Sequence, residues 1–148
     1  MGNYPLEIFD QIKKYKKEID GKLLEIYPKG PNSLVEPINY VLNGGGKRLR
    51  PILAIFSAIS CGGNKHDVMP VALAIEILHN FTLVHDDIMD GDLVRHGQKT
   101  VHDKWDEGVA ILTGDAMLSL ALKLILQSND HKENQITLFI DGLLAVCE

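Results

Sequence analysis

Leu83-Val84-His85-Asp86-Asp87-Ile88-Met89-Asp90 closes an apolar run that begins at Val71, and how this stretch is read decides the fold. Val71 to Val84 is apolar on nearly every side, which predicts a buried helix over Asp67 to Asp90. Three carboxylates then fall within about one turn. Acid is the wrong sign for a helix C-terminus, so these side chains have little structural use there. Asp86 and Asp90 are four residues apart and Asp87 and Asp90 three apart, so on a helix they project from neighbouring parts of one surface. On an ideal wheel His79 joins Asp86 and Asp90 within about 40°. Like charges this close call for a cation between them. Oxygen donors at helical spacing suit a hard divalent cation such as magnesium. Because magnesium meets a protein through one or two carboxylates and takes other oxygens from phosphate, a phosphorylated substrate is implied with it.

The same helical spacing extends outward in both directions, and β-branched alternation is scarce, so the chain reads as all-α. Leu6 to Tyr27 is an amphipathic helix stopped by Pro28, Gly30 and Pro31. Asn32 or Ser33 can cap a second helix ending at Asn43 before Gly44-Gly45-Gly46. Pro51 suits the first turn of a third helix that stops at Gly62-Gly63. Gly91 to about Thr100 reads as a polar connection, Val109 to Gln127 as a buried helix containing Asp115, and Lys132 to Glu148 as a helix with no stop signal. The expectation is a single helical domain over residues 1–148 with about six to seven helices.

Composition bounds the function. Hydrophobic content of 45% and charged content of 24% are those of a globular domain. The N-terminus shows no basic segment leading into an apolar core, and charge interrupts the apolar stretches, so a cytoplasmic protein without stable membrane insertion is expected. Cys61 and Cys147 lack metal-like spacing and read as reduced core residues. A net charge of −5 argues against nucleic acid as a partner. That average conceals a cationic knot at Lys47, Arg48 and Arg50.

In Gly44-Gly45-Gly46-Lys47-Arg48-Leu49-Arg50-Pro51 the cations lie between a flexible turn and a helix start. Glycines let backbone approach a ligand, helix-start amides point outward, and arginine offers paired donors matched to phosphate oxygens. The pattern suits a diphosphate cradle and lacks the frame of a Walker loop. Arg95-His96-Gly97 follows the aspartates closely enough for a side chain to reach back over a metal. His79 shares the aspartate stripe and can donate to phosphate, whereas His66, His85 and His102 read as structural or surface residues.

In order and spacing these pieces resemble the N-terminal half of the trans-prenyltransferases, the isoprenyl diphosphate synthase family that makes geranyl, farnesyl and geranylgeranyl diphosphate. The resemblance rests on Gly45 to Pro51, Glu76 to His79, Leu83 to Asp90, Arg95 with Gly97, Thr100 to His102, and Ala110 to Ala116. It implies a truncated isoprenoid synthase-type helical bundle. It also implies that Asp86 and Asp90 ligate magnesium on an allylic diphosphate, with Asp87 supporting them and Arg95 binding the same diphosphate. Lys47, Arg50 and His79 would hold isopentenyl diphosphate. His96 stands in that site where the family usually has a second arginine, replacing a permanent donor with a weaker, pH-dependent one. Phe81, the fifth residue before the motif, would by this resemblance floor the product pocket and set its length, while an ideal wheel places Thr82 nearer the aspartate face than Phe81.

Lys99 and Asp106 also depart from the family's usual proline and glycine, and the family's second aspartate-rich motif has no counterpart here. The alternatives are a catalytically incomplete fragment, a non-catalytic regulatory subunit, or a terpene cyclase, which has no need of the second cradle. The apolar residues Leu138, Ile140, Leu143, Leu144 and Val146 lead to the expectation of a homodimer or higher oligomer.

Overall fold

The computed structural model describes residues 4–128 and 131–147. Among these the chain forms seven helices, α1 (Tyr4–Leu24), α2 (Asn32–Asn43), α3 (Leu49–Ser60), α4 (Lys65–Asp90), α5 (Val101–Lys104), α6 (Glu107–Ile125) and α7 (Lys132–Val146). A short hairpin of β1 (Val94–Arg95) and β2 (Gln98–Lys99) lies between α4 and α5. The expected all-α architecture holds.

α4 is the central element, packed most extensively on α6 and next on α3. Its apolar residues are spread around its circumference because it has neighbours on several sides. Ala72, Leu73, Ala74 and Ile77 join Met117, Ala121 and Ile125 of α6, Ile52 and Ile55 of α3, and Ile19 and Leu23 of α1 in one buried cluster. A smaller cluster of Val84, Val101 and Ala110, with Trp105 and Ile88 against it, seats α5 on the aspartate end of α4. α4 and α6 are each long and apolar enough to span a membrane by length and composition, which corrects the expectation that charge cuts every apolar stretch short. In the fold these two helices form the centre of the bundle.

The elements start and stop for local reasons. Asn64 caps α4 by accepting from the Asp67 amide, and Asp106 caps α6 by accepting from the Val109 amide. α2 differs from expectation, because Asn32 and Ser33 lie inside the helix and the backbone oxygen of Pro31 accepts from the Leu34 and Val35 amides instead. The segment expected as a plain connection contains the hairpin, whose turn residues His96 and Gly97 have φ of 51° and 80°. Positive φ at both central positions is the backbone of a two-residue hairpin turn, which glycine adopts freely and histidine tolerates. Cys61 and Cys147 follow the last turns of α3 and α7 and are exposed, so neither is the core residue expected. Glu148 lies outside the described residues.

Candidate functional site

A cavity of about 450 Å³ opens between the end of α2, the start of α3, the aspartate half of α4 and the hairpin. Lys47, Arg50, His79, Asp87, Arg95 and His96 all line it, so the structure brings the two cationic segments of the sequence to one place. Glu76, Asn80, Leu83 and Val84 complete the α4 wall. These residues recur at three- and four-residue steps, as one face of a helix requires.

Asp86 and Asp90 are absent from that wall. On an ideal wheel they fall to one side of the face centred on Leu83, and His79 falls between them, at the seam. Asp86 is half-buried and Asp90 exposed. Among the described residues neither takes part in an ion pair or side-chain hydrogen bond. Two uncompensated carboxylates one turn apart, about 6 Å along the axis, fit a hard cation that shares its coordination with a phosphate. No three His, Cys, Asp or Glu side chains converge among the described residues, so this donor set is the pair itself and no closed protein cage.

Asp87 is different. It is 4% exposed and accepts from Arg95 Nε at 2.5 Å, while Asp92 lies 3.6 Å from Arg95 Nη2. Burial pushes the Asp87 carboxyl above its ordinary range, and the Arg95 hydrogen bond opposes this without cancelling it. Asp87 therefore orients Arg95 at the cavity wall. His79 is held below its ordinary pKa by burial and then by Arg50, with Glu76 opposing and Arg95 and His96 adding to the depression. Burial and Arg50 thus favour the neutral imidazole, which can donate one hydrogen bond.

Arg48 also lines the cavity, but each of its guanidinium nitrogens already donates within the protein, which sets it apart from Lys47 and Arg50. It is 4% exposed, and each of its three nitrogens makes one bond: Nε donates to Asp20 at 2.8 Å, Nη1 to Glu76 at 2.7 Å and Nη2 to the Leu42 carbonyl at 2.7 Å. Its backbone has a left-handed φ of 52° just before α3, so the chain turns inward at Arg48 and leaves Lys47 and Arg50 exposed on either side. Nothing in the sequence assigns a role to Asp20 or a binding role to Glu76. They lie 28 residues to either side of Arg48, and only the fold reveals the three together.

Phe81 and Thr82 do not line the cavity. Phe81 packs against the main core with its ring 4.7 Å, edge-on, from the His85 ring, and Thr82 donates to the His79 carbonyl at 2.8 Å. His85, read as structural or surface, is part of the α4–α6 contact, with Nε2 3.3 Å from the Ile111 carbonyl oxygen. Thr100 is buried at the cavity with its hydroxyl unpartnered.

Known proteins resemble this chain in sequence and in fold. Residues 31–148 match the polyprenyl synthetase family. The chain is 36% identical over 146 residues to a short chain isoprenyl diphosphate synthase from Methanothermobacter thermautotrophicus, covering 97% of this chain and 45% of the relative. It is 39% identical over 143 residues to a geranylgeranyl diphosphate synthase from Methanosarcina mazei, covering 96% of this chain and 44% of the relative. The crystal structure of a geranylgeranyl pyrophosphate synthetase from Pyrococcus horikoshii superposes with a TM-score of 0.84 at 37% identity, over 97% of this chain and 44% of that one. The chain thus spans less than half the length of these relatives. With the match running through the glycine turn, the cavity and the aspartate helix, the chain belongs to the polyprenyl synthetase family.

Proposed function

We propose that this chain provides the diphosphate-binding machinery of a short-chain trans-prenyltransferase of the farnesyl or geranylgeranyl diphosphate synthase type. The reaction joins an allylic diphosphate head-to-tail with isopentenyl diphosphate in the cytoplasm. The observation that carries the reading is the convergence of Lys47, Arg50, His79, Arg95 and His96 on one cavity beside the unpaired Asp86 and Asp90. No single monophosphate needs so many donors, whereas two diphosphates do.

Asp86 and Asp90 are the residues to hold magnesium, which when bound supplies positive charge to the departing diphosphate. Arg95, held rigid by Asp87, donates to the same diphosphate and stabilises the charge that grows on it. Lys47 and Arg50 hold the diphosphate of isopentenyl diphosphate from the opposite wall, with His79 and His96 adding single donors. Leu83 and Val84 add apolar surface to the α4 wall, which limits water around an allylic cation. The isopentenyl double bond then attacks the cation, and loss of a proton leaves a product five carbons longer. Phe81 packs on the core outside the lining of this cavity, so its proposed role as floor for the growing tail, favouring a C15 to C20 product with Thr82 beside it, rests on the family resemblance alone.

Calorimetry with the two diphosphates tests the division of roles. Lys47→Ala and Arg50→Ala should weaken isopentenyl diphosphate more than an allylic thiolodiphosphate, and Arg95→Ala the reverse, by roughly 1.5 to 3 kcal/mol per charged contact. Equal losses for both ligands in all three variants would refute it.

A second reading, a subunit that binds these ligands but needs another chain for turnover, is favoured by the exposed apolar surface of α7. Leu138 is 72% and Val146 64% exposed.

A further inference from the structure

The cavity's cations come from two segments that are far apart in sequence. Lys47 and Arg50 follow the end of α2, while Arg95 and His96 ride on the hairpin after α4. Where these segments sit relative to each other sets the width of the cavity. The hairpin is a small element of two residues per strand, and such a ribbon has little stability of its own.

Tyr40 joins the two. It lies on α2, one turn before Gly44, and lines the cavity. Its hydroxyl donates to the Lys99 carbonyl on β2 at 2.9 Å, across 59 residues of sequence. The ring is itself held in place: Lys104 Nζ stands 3.6 Å from its centroid, and the Trp105 ring meets it edge-on at 5.3 Å. Both of those residues adjoin the end of α5, which the Val84, Val101 and Ala110 cluster fixes to α4. The hydroxyl thus passes the rigidity of α2 and α5 to the strand that backs Arg95 and His96.

We propose that Tyr40 is a positioning residue, whose hydroxyl clamps the hairpin so that Arg95 and His96 stand at diphosphate distance from Lys47 and Arg50. This rests on the diphosphate reading of the cavity given above. The clamp itself can be measured without any ligand.

Tyr40→Phe is the clean variant, because it keeps the ring and its contacts with Lys104 and Trp105 and removes one hydrogen bond. In the full 148-residue chain, hydrogen exchange should quicken about threefold to tenfold at the Thr100 amide, which donates to Leu93 O across the base of the hairpin. Amides in the middle of α4 and α6 should keep their rates, and the melting temperature should hold. Calorimetry with inorganic diphosphate and magnesium should show affinity reduced by a similar factor, an effect that a purely structural loss at constant stability would not produce. Weaker binding with unchanged hairpin exchange would mean that Tyr40 touches the ligand directly, and would overturn the proposal. Faster exchange with unchanged binding would overturn it too, since the hairpin's position would not matter. If the unsubstituted chain bound no diphosphate, the reading of the cavity would fail, and the clamp would stand on faster exchange or fall on unchanged exchange.

Discussion

Lys47 and Arg48 are neighbours in the sequence with opposite fates. Arg48 is inside, donating to Asp20, Glu76 and the Leu42 carbonyl, so truncating it leaves Glu76 buried without its partner. Arg48→Ala should cost about 3–5 kcal/mol in urea unfolding, while Lys47→Ala, on an exposed side chain, should stay within about 0.5 kcal/mol and affect ligand binding alone. Similar losses of stability in both would contradict the assignment. The motif around them was legible as a cradle, yet nothing local distinguishes the inward cation from the outward ones. The left-handed turn at Arg48 and its partners on α1 and α4 make that choice. His79 gives a pH test. Its pKa in the folded chain lies below the 6.5 it recovers on unfolding, chiefly through burial and then Arg50. As pH falls through 6.5 the unfolded chain binds protons that the folded one does not, so the stability owed to neutral His79 is lost on acidification and not on alkalinisation. Urea midpoints should therefore fall from about pH 7 to about pH 5 more steeply in the natural chain than in His79→Gln. Parallel slopes would show that His79 does not titrate this way.

At the scale of elements, the contact between α4 and α6 depends on a missing side chain. A Cβ on Gly114 would lie 2.2 Å from His85 Nε2 and 2.5 Å from its Cδ2, so the imidazole occupies space that only glycine leaves. Gly114→Ala should destabilise the fold by about 1–3 kcal/mol as the ring is pushed aside, and adding His85→Ala should recover part of that loss. Additive losses in the double variant would show that the two residues do not share the space. The long helices were legible because their apolar periodicity repeats over several turns, and α4 and α6 begin and end within about two residues of expectation. α5 and the hairpin were not. Each is too short for periodicity to register, and the hairpin depends on a turn at His96-Gly97 whose histidine is an uncommon choice for positive φ. The site was therefore legible on α4, while the geometry of its second cationic wall emerged only from the fold.

For the whole molecule, the surface of α7 matters most. Phe139 is its buried residue, whereas Leu138, Ile140, Leu144 and Val146 are 42–72% exposed. We propose that these exposed apolar side chains are covered by a second copy of the chain. The chain is therefore expected to sediment as a dimer or larger assembly, and Leu138→Lys with Leu144→Lys should shift it to a smaller species. A natural chain that stays monomeric at high concentration would contradict this. Whether such an assembly turns over substrate is secondary to whether each chain binds its ligands as the aspartate helix implies. The most direct test is calorimetry of an allylic thiolodiphosphate against the natural chain and Asp86→Asn/Asp90→Asn, in magnesium and in a chelator. Tight binding that needs both magnesium and the two carboxylates is the predicted result; equal affinity in magnesium and in chelator, or in the natural and doubly substituted chains, would contradict it.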